Sequence, residues 1–144
     1  MANRTINKAV GIYLYRFRID PGGRIEVGRL GAYDFPPGWY VYAGSARGGL
    51  RSRLLRHLRG PAAGRFHWHV DYLAPFASQK SFAVVRDELD GECRLNDSVA
   101  AIAGARAPVA GFGSSDCRCT SHLHRLPAAL WPDYPGLAAW QEEL

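Results

Sequence analysis

The five histidines and three cysteines are the residues of this chain best suited to hold a soft metal ion, and they are unevenly spread. Cys117, Cys119, His122 and His124 form the pattern C-x-C-x2-H-x-H, and His67 and His69 flank Trp68. Thiolate and imidazole are zinc ligands by type. The spacing argues less for zinc, because C-x-C is tighter than the usual C-x2-4-C knuckle. His67, His69, Cys117, Cys119 and His122 thus form a secondary metal set in which zinc is the less favoured reading. The favoured one is polar packing, with Asp71 or Asp116 partnering a histidine. A third reading, functional but metal-free, puts the same residues on the rim of a nucleic-acid site. Cys93 reads as a small buried apolar group.

A second constellation is the run "GGLRSRLLRHLRG". Leu50, Leu54 and Leu58 recur at i, i+4 and i+8. Arg53 and His57 are also four apart on a neighbouring face, with Arg56 one step round. The spacing predicts a helix, stopped by Gly60 and Pro61, with its leucines inward and its cations outward. Arginine grips phosphate through a planar fork. Gly44, Ser45, Gly48 and Gly49 precede the helix; they read either as plain turn residues or as residues that let a phosphate approach its N-terminus, with Arg56 beside it.

The balance of the chain agrees with an anionic partner. It has a net charge of +5, and Lys8 and Lys80 are the only lysines among 18 basic residues. A basic chain of 144 residues leans towards nucleic acid. No apolar run is long enough for a membrane span, and "MANRTINKAV" has no apolar signal core, so a cytoplasmic protein without membrane association is expected. Three cysteines in such a chain read as thiols or ligands, not as a disulfide framework.

The elements that must carry these residues follow from period and punctuation. "VGIYLYRFRI" alternates as a strand, with Tyr13, Tyr15, Phe17 and Ile19 the more apolar set. "DPGG" is a turn. "RIEVGRLGAYDF" resumes strand character with Gly28 and Gly31 as bulges, and "WYVYAG" is a third strand. "RFHWHVDYLAPFA" reads as a short helix ending near Pro75, and "KSFAVVRD" as a strand. "DGECRLNDSVAAIAG" reads as a helix capped by Asp90 and stopped at Gly104. The segment to Pro127 is loop-like, then extended. The expected fold is one α+β domain over residues 1–144, with a small central antiparallel sheet of three or more strands flanked by helices. A hairpin insertion falls at about 19–38 and a helical tail at about 127–144.

On these residues the sequence resembles the GIY-YIG nuclease superfamily. Gly11-Ile12-Tyr13 matches its first motif, and Tyr42-Ala43-Gly44 is similar to its second. On that match Arg53 falls at the catalytic arginine, and His57 where several members carry a histidine. Glu92 is the best candidate for the metal-binding glutamate. "FHWHVDYL" and "GFGSSDCRCTSHL" look like a little-characterised branch, a domain of unknown function that also occurs fused to DNA-repair enzymes.

The resemblance implies a metal-dependent endonuclease that hydrolyses DNA phosphodiester bonds in repair or processing, with a DNA-repair protein as a further partner. RNA stays open as the substrate. Such chemistry needs a nucleophile, neutralisation of the phosphoryl oxygens and help for the leaving oxygen. Tyr42 would orient or deprotonate water, with Tyr13 as its partner. A nearby arginine and metal are expected to favour the phenolate. His57 is a rival base, with an unperturbed pKa of about 6.5. Arg53 would clamp the phosphate, and Glu92 would hold Mg²⁺ or Mn²⁺. Two alternatives stand beside this reading: a nucleic-acid-binding module that keeps the fold without cutting, and a zinc-stabilised partner-binding domain. Trp39, Tyr40, Trp68 and Tyr72 would stack on bases or fill the core.

Overall fold

The computed structural model describes residues 10–86 and 91–143. Four strands form an antiparallel sheet in the order β5-β1-β4-β6. They are β1 (Gly11–Ile19), β4 (Gly38–Ala46), β5 (Ala77–Arg86) and β6 (Leu123–Leu126). Among the described residues the insertion between β1 and β4 pairs only with itself, as β2 (Gly23–Glu26) and β3 (Ala32–Phe35). Gly28 and Gly31, expected as bulges, instead bound a 3-10 turn at Gly28–Leu30, and both have positive φ. The antiparallel pair β1–β4 places Tyr13 opposite Gly44 and Tyr15 opposite Tyr42.

The sheet is covered on both faces, so both alternating sets of β1 are buried at its centre. Tyr13, Tyr15, Phe17, Tyr40 and Tyr42 pack with Leu50 and Leu54 of helix α1 (Leu50–Arg59) and with Val70 and Leu73 of a 3-10 helix, His69–Phe76. Ile12, Leu14, Val41 and Ala43 pack on the other side with Leu95 and Val99 of helix α2 (Glu92–Ala100) and with Leu126 of β6. Helix α1 ends as the sequence predicts, at Gly60 with φ 82°. Helix α2 stops at Ala100, short of Gly104, and the proposed cap Asp90 lies outside the described residues.

Two expectations need correction. The tail is not helical: among the described residues after Pro127 the chain runs through turns and extended backbone. Pro127, Pro132 and Pro135 break up the donors a helix would need, and Gln141 pairs instead with Phe82 of β5 through two 2.8 Å backbone bonds. His57 does not lie on the outer cationic face of α1. It is buried together with Leu50 and Leu54, and Leu58 is only partly covered. The inward stripe runs i, i+4, i+7, because Tyr13 and Tyr15 offer the imidazole a polar partner inside the core. No helix among the described residues is long and apolar enough to cross a membrane.

Candidate active site

The two layers meet at the end of β4. Ser45 is the junction: its carbonyl accepts a hydrogen bond from Arg53 Nη1 of α1, and it lines one cavity with Glu92 of α2, whose carboxylate it helps to keep ionised. Helices on opposite faces of the sheet thereby bring a cation and an anion to one strand end. Arg53 lies near enough for its charge to act on Tyr13, Tyr42 and Glu92. Arg53 also lies 4.3 Å above the Trp68 ring, a contact that limits its freedom.

Gly44 explains how two tyrosines crowd one strand pair. A Cβ at this position would stand 2.6 Å from both Cζ and the hydroxyl of Tyr13, and 2.9 Å from Tyr42. Only glycine leaves the rings room to lie over the backbone, which gives the glycine of the Tyr42-Ala43-Gly44 motif a steric purpose. Gly48 and Gly49 face open space, and no side chain caps the start of α1.

Burial sets the protonation states. The Tyr13 hydroxyl lies 2.7 Å from His57 Nε2, and the His57 ring stacks on Tyr15 at 5.1 Å. Burial raises both the Tyr13 and Tyr42 phenols well above their ordinary value, and Arg53 pulls the other way without prevailing. Arg53 by itself thus leaves both rings neutral phenols; the phenolate expected from an arginine and a metal together is not reached by the arginine. Burial also pushes His57 down to about 3, with Arg53 and Arg56 adding to the effect and Asp71 opposing it. The imidazole expected as a base near neutral pH is instead a neutral prop for Tyr13.

A pH signature follows. The unfolded chain takes a proton on His57 near pH 6.5, whereas the folded chain refuses it until about pH 3. The contribution of His57 to stability is complete above the unfolded pKa and is lost as pH falls between the two values. From pH 6 to 4, wild type should lose about 1.4 kcal/mol per pH unit more steeply than His57→Gln. Urea unfolding across that range measures the difference; parallel slopes would show that His57 takes a proton in the fold.

Glu92 is kept ionised. Burial opposes its charge, but the Nδ1–H of His122 at 3.0 Å, the nearby Ser45 and the positive charge of Arg53 hold the carboxyl below its usual value. It opens on a cavity of about 310 Å³ lined by Ser45, Arg47, Cys93, Gly113, Asp116 and Cys117. A hard divalent cation takes one or two carboxylates plus water and phosphate oxygens, so the donor set fits Mg²⁺.

Other predicted residues are placed differently. Arg56 is not open to phosphate, because its fork binds Asp71 at 2.9 to 3.3 Å and the Arg65 carbonyl. Asp71 partners that arginine and the backbone N–H of His67 and Trp68, not a histidine ring. His67 and His69 line a second cavity with Tyr42, Trp68, Gly113 and Asp116, and His69 Nδ1 accepts the Gly113 N–H at 2.8 Å. They do not join the cysteines. Cys93, read as an apolar filler, instead stands with Cys117, Cys119 and His122. Tyr40 is core, Trp68 serves Arg53 and Tyr72 stacks on Phe66.

The sequence singles out neither Ser45 as the bridge nor Asp71 as the anchor. The one visible signal was the position of Ser45 directly after the Tyr-Ala-Gly motif. A family model described as "Domain of unknown function DUF123" matches residues 12–132. No curated protein and no solved structure matches the chain.

Proposed function

The chain belongs to the family of the domain of unknown function DUF123, and within that family we propose that it is a divalent-metal-dependent endonuclease of GIY-YIG type that hydrolyses phosphodiester bonds in DNA. The observation that carries the reading is the meeting of Arg53 and Glu92 at Ser45, beside two tyrosines and an open cavity. The Gly11-Ile12-Tyr13 and Tyr42-Ala43-Gly44 motifs, each on a strand of the pair β1–β4, add to it.

Arg53 offers its fork to the non-bridging oxygens of the scissile phosphate, where negative charge accumulates in the transition state. Glu92 and Ser45 are the residues that would hold the cation, which supplies positive charge beside the phosphate when bound. Tyr42, the less buried of the two phenols, orients the attacking water by hydrogen bonding. Tyr13 keeps the site dry and rigid through His57.

The test is a panel of supercoiled, branched and flapped DNAs incubated with Mg²⁺. Magnesium-dependent strand breaks are expected, and Glu92→Gln should remove them by at least about 100-fold while the protein stays folded. No cleavage of any substrate would overturn the proposal. A second reading, a binding module that does not cut, is favoured by one observation: Tyr13 is only 1% exposed, so its phenol is directed at His57 and not at solvent. Salt-sensitive DNA binding without cleavage is the result that reading requires.

A further inference from the structure

The strongest unassigned feature is the group formed by Cys93, Cys117, Cys119 and His122. Their ligand atoms all lie within 4.8 Å of one another. Cys117 Sγ is 3.3 Å and Cys93 Sγ 3.9 Å from His122 Nε2. In a tetrahedron with Zn–S of about 2.3 Å and Zn–N of about 2.0 Å, ligand atoms stand about 3.5–3.8 Å apart. The two sulfur–nitrogen distances bracket that scale, and the widest separation exceeds it by about an ångström. All three cysteines are free thiols.

A second observation is independent of these distances. His122 is fully buried, and its Nδ1 lies 3.0 Å from the Glu92 carboxylate and 3.0 Å from the Ala43 carbonyl. Both partners are acceptors, so Nδ1 carries the proton and donates. That leaves the Nε2 lone pair directed at the three sulfurs. A ligating histidine is commonly held in this way, with its far nitrogen bound to a carboxylate or backbone carbonyl. The ligands come from three places: α2 (Cys93), the loop (Cys117 and Cys119) and the approach to β6 (His122).

We propose that Cys93, Cys117, Cys119 and His122 bind one Zn²⁺ ion in a closed tetrahedral site. The ion ties the 111–122 loop to α2 and sets the orientation of His122. Three thiolates and one imidazole suit zinc over a hard cation, and four protein ligands leave no open position for catalysis. Resting on the nuclease reading, one consequence is that His122 is a positioning residue, because its Nδ1–H fixes Glu92 at the mouth of the proposed site.

The experiment needs no nucleic acid, so its failure is distinct from failure of the nuclease reading. The full chain, purified without added metal or chelator, is analysed for metal content. About one zinc per chain is expected. Replacement by Co²⁺ should then give the intense visible absorption of tetrahedral cobalt with a thiolate charge-transfer band. Cys117→Ser and Cys93→Ser should each weaken zinc binding at least tenfold, as read by competition with a chromophoric chelator. If those variants do not fold, the wild-type protein decides. Zinc near zero with no uptake on titration, stoichiometric iron in its place, or cobalt spectra of octahedral type would each overturn the assignment.

Discussion

Arg53→Ala is expected to lower Mg²⁺-dependent DNA cleavage by about 10²–10³-fold, the usual cost of removing one preorganised donor from a developing phosphoryl charge. The side chain is preorganised by the Ser45 carbonyl and the Trp68 ring, so its loss removes a fixed charge and not a wandering one. Stability should fall far less, since the lost contacts are one hydrogen bond and one cation–π contact, together on the order of 1–2 kcal/mol. Arg53→Lys keeps the charge without the fork and should recover only part of the rate. Single-turnover cleavage, measured beside thermal melting, separates the two effects. A cleavage rate equal to wild type would remove Arg53 from the chemistry.

Asp71→Ala is expected to cost about 2–3 kcal/mol of folding stability, the range for leaving buried polar groups without a partner. The Asp71 side chain is 1% exposed, and it receives Arg56, the His67 N–H and the Trp68 N–H. Its removal leaves two backbone donors without their acceptor and the Arg56 guanidinium with the Arg65 carbonyl and solvent. The loss reaches the site, because the same carboxylate fixes the turn that carries Trp68 under Arg53. The pH dependence has a definite sign. Burial opposes the charge of Asp71, but the bonds from Arg56, His67 and Trp68 prevail and hold its carboxyl below its usual value. Its contribution is full above the unfolded carboxylate pKa of about 3.9 and disappears as pH falls through the lower folded value. Chemical denaturation at neutral pH measures the cost. The double variant with Arg56→Ala should be less destabilised than the sum of the single ones.

Local rules account for much of this fold. The alternation in "VGIYLYRFRI" and the β-formers in "WYVYAG" predict β1 and β4, and Gly60 marks the end of α1. These features depend on backbone sterics and period, which act over a few residues. The same rules erred where neighbours in space decide. The tail reads as helix by composition, yet its prolines and the free edge of β5 make it an extended partner. His57 reads as an outward cation by helical phase, yet Tyr13, distant in sequence, offers it a buried hydrogen bond.

The candidate site divides along the same line. The resemblance of the two short motifs to a known family placed Tyr13, Tyr42, Arg53 and Glu92 among the candidate residues, because motif spacing is a property of the chain. Only the tertiary structure decided their states and company. Whether a phenol ionises depends on how much water reaches it, and that follows from two layers closing on the sheet. Whether Arg56 is free for a ligand depends on where the 3-10 helix brings Asp71. Whether three cysteines and a histidine make a metal site depends on α2 delivering Cys93 to a loop that follows it in the chain. Contacts of that kind are set by the packing of whole elements, and no local stretch of sequence contains them.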